Sequence, residues 1–251
     1  MKNLELIQKA LAENDLSALD SLATAVGRDI NKSLNFSSPL MLSAHNLKHL
    51  QKISSINSDS IMLNLEDGVS EEQKPFALRL CALALLSYSS IDKKLIVRVN
   101  ALDEGGDEEI RYLNRFQPDA IRVPKVKTTD DVKRALELLN EKIELHLSIE
   151  TNEAWLNLQN LRVDDRVKVF YLGILDLFAD MNLSQSLIKV DNPLIHHILS
   201  HFLITSKAIG VKTVSFVFQD YRDSEKFKEW LELEKSMVFN SKGVSHQHKL
   251  H

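Results

Sequence analysis

Charged and amide side chains follow several apolar runs of this 251-residue chain, at the positions where those runs end. In chain order they are Glu66, Asp67, Arg98, Asn100, Lys125, Glu150, Asp176 and His246. If the runs are parallel strands, their carboxyl ends meet at one edge of the sheet, which is where α/β enzymes place their active sites. The pattern therefore predicts one site that contains several acids and at least two cations.

Glu150 and Asp176 predict a divalent metal site. Proteins usually hold Mg²⁺ with one or two carboxylates and leave the remaining positions to water and substrate, and Mn²⁺ accepts the same oxygen ligands. Such a metal can bind a 2-oxo acid and stabilise the enolate that forms when a carbon–carbon bond breaks. The spacing of the two acids is not a metal motif in itself, so the prediction depends on their positions after neighbouring runs.

Arg98 is the one charged residue in its apolar run after Lys94, and it predicts anion binding. A guanidinium can bind a substrate carboxylate or a developing enolate oxygen through its bidentate fork. A structural alternative is an ion pair between Arg98 and Glu66. Lys125 can likewise assist an anionic substrate or pair with Glu66 or Asp107. A single Glu at a strand end is most often a helix cap or a solvated loop residue, so the joint pattern carries the prediction.

The apolar runs predict short strands that alternate with amphipathic helices such as Glu71–Ser87, Asp130–Leu139 and Leu194–Ile209. The predicted strands are Leu40–Leu42, Ser60–Leu65, Lys94–Val99, Ala120–Val123, Leu145–Ile149, Val167–Leu172, Thr213–Phe216 and a weak one at Val244-Ser245. About eight such units predict an α/β fold of the (β/α)₈ TIM-barrel type. An open doubly wound sheet is the alternative, but no G-x-G-x-x-G motif follows the first strand.

Two segments of different character divide the chain. Residues 1–33 show helical spacing in two short stretches, and we expect them to form a helical N-terminal extension. No Pro/Gly/Ser-rich linker interrupts the alternation in residues 34–251, so we expect one TIM-barrel catalytic domain there.

Composition excludes several classes of function. The formal net charge is −4, with 31 basic and 35 acidic residues, which gives no electrostatic basis for a nucleic-acid partner. No apolar stretch is long enough to span a membrane, and the N-terminus lacks the apolar core of a signal peptide. Cys81, the single cysteine, permits no internal disulfide. We therefore expect a cytoplasmic protein.

A histidine pair and an acidic run are two further candidate features. His197 and His201 stand at i and i+4 of a predicted helix and could form a zinc pair, but a solvated helix face or a subunit contact is the favoured interpretation because no third ligand is near in sequence. The acidic run Asp103–Glu109 contains Gly105-Gly106 and predicts a mobile loop over the site.

At the candidate site the sequence resembles the HpcH/HpaI aldolase/citrate lyase family, in its citrate lyase β-subunit-like branch. The matching segments, in family order, are Ile61–Val69 ("LDLEDaV"), Val97–Asn100 ("vRvN"), Val123–Val126 ("lPKv"), Ser148–Thr151 ("iET"), Leu172–Asp176 ("lGxxD") and Phe239–His246 ("GfxGKxxIHP"). Each segment is weak alone, but six in the same order are a specific signal.

The resemblance implies a TIM barrel of the phosphoenolpyruvate/pyruvate type in which Glu150 and Asp176 bind Mg²⁺. It implies catalytic roles for Arg98 and Glu66, and substrate binding by Arg98, Lys125 and Asn100. It also implies a carbon–carbon lyase that acts through a metal-stabilised enolate on a small carboxylate or acyl-CoA substrate, such as a β-hydroxyacyl-CoA thioester or a hydroxy-oxo acid. Relatives commonly assemble as homotrimers or hexamers.

Several positions depart from the family pattern. The family arginine and proline of the first strand are Ser37 and Ser43 here, which puts a contact with CoA in question. Asn64 replaces an aspartate, Leu175 replaces a polar residue before Asp176, and a glutamine replaces the proline after His246. These losses support an alternative function, a non-catalytic barrel that serves as a binding or assembly partner.

Overall fold

The computed structural model describes residues 1, 3–24, 30, 36, 39–218, 223–239 and 241–242 of the chain. At its centre, seven parallel strands lie side by side in chain order and form a half-barrel. The strands are β1 (Leu40–Ser43), β2 (Ser60–Asn64), β3 (Lys94–Arg98), β4 (Ala120–Val123), β5 (Glu144–Ile149), β6 (Val167–Leu172) and β7 (Lys212–Val214). Their bounds agree with seven of the predicted runs to within two residues, which confirms these strands.

Two of the described helices precede β1, and the other helices follow the strands. The helices are α1 (Leu4–Ala12), α2 (Leu16–Leu22), α3 (Leu47–Gln51), α4 (Lys74–Ser87), α5 (Gly106–Leu113), α6 (Thr129–Leu138), α7 (Asn152–Leu156), α8 (Ile174–Asp180), α9 (Pro193–Ala208) and α10 (Ser224–Ser236). Local sequence explains their starts: Thr128 and Asp131 form a capping box before α6, and Pro193 opens α9, where its missing N–H has no cost. None of the described helices is both long and apolar enough to cross a membrane. A cytoplasmic location stays a prediction.

The two faces of the sheet belong to two different hydrophobic clusters. Every residue of β2, β3 and β4 is buried, as is typical of a parallel sheet that is covered on both sides. One set of alternate residues, which includes Leu63 and Val97, joins the helices in the main hydrophobic core. The other set forms a smaller cluster on what we call the inner face, made of Met62, Ile96, Ala120, Val169, Tyr171 and Val214.

The predicted pair of N-terminal helices is confirmed as α1 and α2. Asp20 of α2 docks them on the body, because its carboxylate accepts hydrogen bonds from Arg79 at 2.9 and 3.1 Å and from the Tyr112 hydroxyl at 2.8 Å. The division of the chain into an extension (1–33) and a catalytic domain (34–251) stays a prediction.

The eighth predicted strand, at Val244-Ser245, lies outside the described residues. A parallel bridge between Ser215 and Lys242 does continue the strand order beyond β7. Within the described residues the sheet is a half-barrel of seven parallel strands, and a closed (β/α)₈ barrel stays a prediction.

The expectation of a mobile loop over Asp103–Glu109 is wrong. Leu102–Glu104 forms a 3₁₀ turn, and α5 begins at Gly106. Gly105 has a φ of +97°, a conformation that glycine adopts without strain, and this turn allows the chain to start the helix. Arg134 of α6 then pairs with Asp103 and Asp107 at 2.5 and 2.7 Å, so the acidic run is held against α6.

Buried polar side chains also lie on the inner face of the sheet. Lys94 contacts both oxygens of Glu144 at 3.1 and 3.2 Å, and His146 Nε2 lies 3.3 Å from the same carboxylate. The fully buried ring of His146 then reaches the Tyr171 hydroxyl through Nδ1, also at 3.3 Å. Because an ionised Glu144 can only accept, Nε2 carries the proton, and Nδ1 accepts from Tyr171. Burial raises the pKa of Glu144, but His146 and Lys94 outweigh it and bring the value down from 4.5 to about 2.

We predict that Glu144→Gln lowers the free energy of unfolding by about 2 to 3 kcal/mol, because Lys94 would lose its buried carboxylate. A carboxyl whose pKa falls on folding stabilises the protein above its unfolded value of 4.5, and this contribution disappears as the pH falls towards 2. The difference between the wild type and the variant should therefore shrink from about pH 5 to about pH 3. Denaturant unfolding measures it, with Glu141→Gln, at an exposed position, as the control. An equal loss in both variants would show that the pair does not stabilise the fold.

Candidate active site

Glu150 directly follows β5, and its side chain is buried, with 3% of the residue exposed. One of its carboxylate oxygens accepts a hydrogen bond from the backbone N–H of Lys125 at 2.8 Å. Lys125 follows β4 with a φ of +53°, a left-handed conformation that costs a residue with a side chain about 1 kcal/mol. The strained turn after β4 is therefore part of what holds Glu150 in place.

Gly173 supports the same carboxylate from the other side. A methyl group at this position would lie 2.5 Å from Oε2 and 2.6 Å from Cβ of Glu150, well inside van der Waals contact. The φ of Gly173 is −93°, which any residue can adopt, so the requirement for glycine is purely steric. Position 173 has no side chain because Glu150 occupies that space.

Asp176 is the third residue of α8, the helix that Gly173 caps. Its side chain is exposed, and it forms no hydrogen bond or ion pair with any residue that the structure describes. Since Glu150 touches the backbone at the start of α8, the helix turn that carries Asp176 begins beside Glu150. A close approach of the two carboxylates, near enough to share a cation, stays a prediction.

The donor set at this position fits Mg²⁺ or Mn²⁺ better than zinc. Two carboxylates offer oxygen atoms alone, which hard cations prefer, and leave most coordination positions to water or substrate. Within the described residues, no group of three or more His, Cys, Asp or Glu could hold a metal by itself. His197 and His201 belong to no such group, and the His201 ring packs against Trp155 with the centroids 5.0 Å apart.

Arg98 forms the ion pair that its structural interpretation requires. Its guanidinium contacts the Glu66 carboxylate directly and lies 3.3 Å from Asp67. Both Arg98 and Glu66 are buried, whereas Asp67 is exposed. Burial raises the pKa of Glu66 to about 7, even though the neighbouring charge of Arg98 lowers it. Glu66 can therefore gain or lose a proton near neutral pH.

Lys125 and Asn100, the other predicted substrate-binding residues, differ in exposure. The Lys125 ammonium is half exposed, 3.3 Å from Glu104 and 4.0 Å from Glu66. Asn100 is 1% exposed and donates from its backbone and side chain to Glu109 at 2.8 and 2.6 Å. Its Oδ1 accepts no hydrogen bond within the described residues. Asn100 thus links β3 to α5, and its role in substrate binding stays a prediction.

Sequence reasoning missed Arg122, which lies in β4 directly beside Arg98 in the register of the sheet. It is a charged residue inside the apolar run Ala120–Val123, which is the signal that singled out Arg98. Arg122 is buried, and its Nε donates to the Ser148 hydroxyl at 2.9 Å. The inner face therefore carries two neighbouring guanidinium groups, and only that of Arg98 was predicted to belong to the site.

Two of the departures from the family pattern, Ser37 and Gln247, lie outside the described residues, as does the motif residue His246. Of the three that the structure describes, Ser43 and Asn64 are engaged in local polar contacts, and Leu175 is a partly buried residue packed against the main core. Ser43 Oγ is 2.8 Å from His45 Nδ1, and the Asn64 amide donates to the backbone carbonyl of Asp67 at 2.6 Å. Asn64 thus holds the turn that carries Glu66 and Asp67.

The chain is similar in sequence to a known family and to curated proteins. Residues 38–247 match the family model described as HpcH/HpaI aldolase/citrate lyase. A (3S)-malyl-CoA thioesterase of Cereibacter sphaeroides is 27% identical over 216 residues, which cover 86% of this chain and 74% of that protein. The human mitochondrial citramalyl-CoA lyase is 24% identical over 279 residues, covering 98% of this chain and 81% of that protein.

A solved structure shares the architecture. It is the citrate lyase β subunit of Mycobacterium tuberculosis complexed with oxaloacetate and magnesium, with a TM-score of 0.71 and 22% sequence identity. The likeness covers 90% of this chain and 94% of that one. At this level of identity it supports the fold.

We predict that Gly173→Ala weakens Mg²⁺ binding by about tenfold or more, because the added methyl group displaces the Glu150 carboxylate. Calorimetric titration with MgCl₂ measures the change. The control is Ala179→Ser, which likewise adds one heavy atom, but at an exposed position of α8. Equal affinities of a folded Gly173→Ala variant and the wild type would remove Glu150 from the metal site.

Proposed function

The chain belongs to the HpcH/HpaI aldolase/citrate lyase family, and on that premise we propose that it is a Mg²⁺-dependent carbon–carbon lyase. It would cleave or form a β-hydroxyacyl-CoA thioester or a hydroxy-oxo acid. The observation that carries the proposal is the position of Glu150, held between the Lys125 N–H and Gly173 at the start of the helix that bears Asp176. The left-handed turn at Lys125 and the missing side chain at Gly173 both act on this one carboxylate, and local strain of this kind clusters at functional sites.

In the cleavage direction, the bond between the hydroxyl-bearing carbon and the carbon next to the thioester or oxo group breaks. The hydroxyl proton leaves, its oxygen becomes a carbonyl, and the electron pair of the broken bond remains on the other fragment as an enolate, which then takes up a proton. A Mg²⁺ bound by Glu150 and Asp176 would supply a Lewis acid for the oxygens of the oxo-acid portion.

The chain's own residues would bind the substrate and move the proton. Arg98 would hold the substrate carboxylate or the enolate oxygen, since a planar guanidinium matches both. Glu66, with a pKa of about 7, can accept the hydroxyl proton and return it to the enolate. Lys125 would add a positive charge near Glu66. Asn100 Oδ1, which has no hydrogen-bond partner within the described residues, would accept a hydrogen bond from a hydroxyl of the substrate.

The relatives guide the choice of substrate. The two curated relatives described above are named for malyl-CoA and citramalyl-CoA, so a CoA thioester of a hydroxy acid is the first candidate. The family arginine at position 37 is a serine here, which keeps a free hydroxy-oxo acid as the second. We also propose that the described half-barrel is part of a closed (β/α)₈ barrel.

An activity assay with Mg²⁺ tests the proposal. (3S)-Malyl-CoA and citramalyl-CoA are incubated with the protein and the products are separated by chromatography. Acetyl-CoA together with an oxo acid supports a lyase, whereas free CoA without carbon–carbon cleavage indicates a thioesterase. If neither thioester nor a free hydroxy-oxo acid is cleaved while Mg²⁺ binds, the non-catalytic alternative replaces the proposal.

The metal site makes a direct prediction. We expect Glu150→Gln and Asp176→Asn each to weaken Mg²⁺ binding by about a hundredfold, because a neutral amide oxygen is a poor ligand for a hard cation. Calorimetric titration is the measurement, and Asp165→Asn, at a side chain that is 93% exposed, is the control. Wild-type affinity in either site variant would exclude that residue as a ligand.

Arg98→Lys separates substrate binding from structure. The lysine keeps the positive charge beside Glu66, so we expect little change in melting temperature. An ammonium cannot reproduce the bidentate fork, and we expect pyruvate to bind about tenfold more weakly in the presence of Mg²⁺. Calorimetry and thermal unfolding of the same sample check both values. A clear loss of melting temperature with unaltered pyruvate affinity would make Arg98 structural.

We further propose that the protein is a homo-oligomer, a trimer or hexamer. Leu156 at the end of α7 is 72% exposed and Ile204 on α9 is 66% exposed, and the Trp155–His201 ring contact brings these two helices together. A subunit contact at this place would remove both exposed aliphatic side chains from water. Light scattering should give at least three times the monomer mass, and Ile204→Glu should lower it. A wild-type monomer at micromolar concentration contradicts the proposal.

A further inference from the structure

Arg122 occupies the inner face beneath the candidate active site. It stands beside Arg98 in the sheet register, so the two backbones are about 5 Å apart. Its partner Ser148 precedes Glu150 by two residues on β5, and alternate residues of a strand point to the same face. Arg122 therefore lies one residue layer below Glu150.

Arg122 has no direct ion-pair partner among the described residues, although the carboxylates of Glu150 and Glu66 favour its charge from beyond ion-pair distance. Its contacts are the Ser148 hydroxyl at 2.9 Å, the Met62 sulfur at 3.6 Å and the face of the Tyr171 ring, 4.1 Å from the guanidinium carbon. None of the carboxylates in the described part of the chain forms an ion pair with it. Arg98, by contrast, pairs with both Glu66 and Asp67.

A buried guanidinium without an acid partner is expensive, because its lost hydration is replaced only in part. Burial lowers the pKa of Arg122 to about 10, which leaves the side chain charged at neutral pH. The charge is thus present without a direct ion pair. The positive charge of Arg98 opposes it, and the carboxylates of Glu150 and Glu66 compensate it only in part. An arrangement of this kind is stabilised when an anion arrives.

The residues below Arg122 fix its orientation. The Tyr171 ring supports the plane of the guanidinium, and the Tyr171 hydroxyl is held by His146, which is held in turn by Glu144. These contacts leave the Arg122 guanidinium little freedom to turn away. A guanidinium held in one orientation loses less entropy when it binds a planar anion.

We propose that Arg122 is a second anion-binding residue of the site, and that it binds a carboxylate of the substrate together with Arg98. The two guanidinium groups would approach the carboxylate from neighbouring strands, because one carboxylate offers about four acceptor positions. Arg122 would then select substrates whose carboxylate reaches the inner face. The inference rests on the proposed function only in that the substrate is a small carboxylate.

Pyruvate is the probe for this proposal. We expect Arg122→Met to weaken pyruvate binding about ten- to a hundredfold in calorimetric titrations with Mg²⁺, the usual effect of a lost charge-assisted hydrogen bond. Arg122→Gln should act in the same direction, since it keeps a polar group for Ser148 but not the charge. The control is Arg111→Met, which removes the same charge from an exposed position of α5.

Two further measurements separate binding from structure. Without carboxylate, Arg122→Met should melt no lower than the wild type, because it replaces an unpaired buried charge by an apolar side chain of similar length. Its affinity for Mg²⁺ alone should be equal or higher, since a cation near Glu150 is gone. At a given concentration, pyruvate should raise the melting temperature of the wild type more than that of the variant.

Unchanged pyruvate affinity in either folded Arg122 variant, or an equal loss in Arg111→Met, would overturn the proposal. A lower melting temperature with wild-type pyruvate affinity would make Arg122 a structural residue. A wild type that binds pyruvate but not Mg²⁺ would contradict the proposed metal site, whereas weaker pyruvate binding by the two Arg122 variants would still support the role of Arg122.

Discussion

The position of one buried carboxylate, that of Glu150, constrains the rest of the site. Its two supports come from different strands: the Lys125 N–H follows β4, and Gly173 follows β6. Lys125 has a left-handed backbone conformation, and position 173 has no room for a side chain. Because both must be in place for Glu150 to keep its position, the spacing of three neighbouring strands is fixed by this carboxylate.

Charge on the inner face explains the second feature of the site. Glu66 and Glu150 are buried acids, and Arg98 and Arg122 are buried cations in adjacent strands. Arg98 and Glu66 compensate each other, which leaves Glu150 able to serve a metal cation and Arg122 able to serve an anion. Neither Glu150 nor Arg122 has a direct ion-pair partner among the described residues, and both charges are better compensated when a cation and a carboxylate bind together.

Much of the architecture could be predicted from the sequence, because parallel strands appear as short apolar runs. The bounds of β4 and β6 agree with Ala120–Val123 and Val167–Leu172. For β7 the prediction of Thr213–Phe216 extends too far, since Ser215 leaves β6 and forms its bridge with Lys242. The prediction of a mobile loop around Gly105 was wrong because the acidic residues pair with Arg134, which is far from them in sequence.

The site could be predicted only in part. Strand ends identified Glu66, Arg98 and Lys125, which the structure brings into mutual contact through Glu66. The steric role of Gly173 depends on a side chain 23 positions earlier, and no local pattern reveals it. Arg122 was visible as a charge in an apolar run, but its lack of an acid partner is a property of the folded inner face.

A crystal structure with Mn²⁺ and pyruvate tests the central claim, that Glu150 and Asp176 hold a divalent cation beside a substrate carboxylate. Anomalous scattering locates the manganese without reference to the protein. The account predicts one peak about 2.2 Å from an oxygen of each of these two residues, with the pyruvate carboxylate turned towards the arginines of the inner face. A peak elsewhere, or Glu150 and Asp176 carboxylates more than about 8 Å apart, would contradict it, because a single ion could not then reach both.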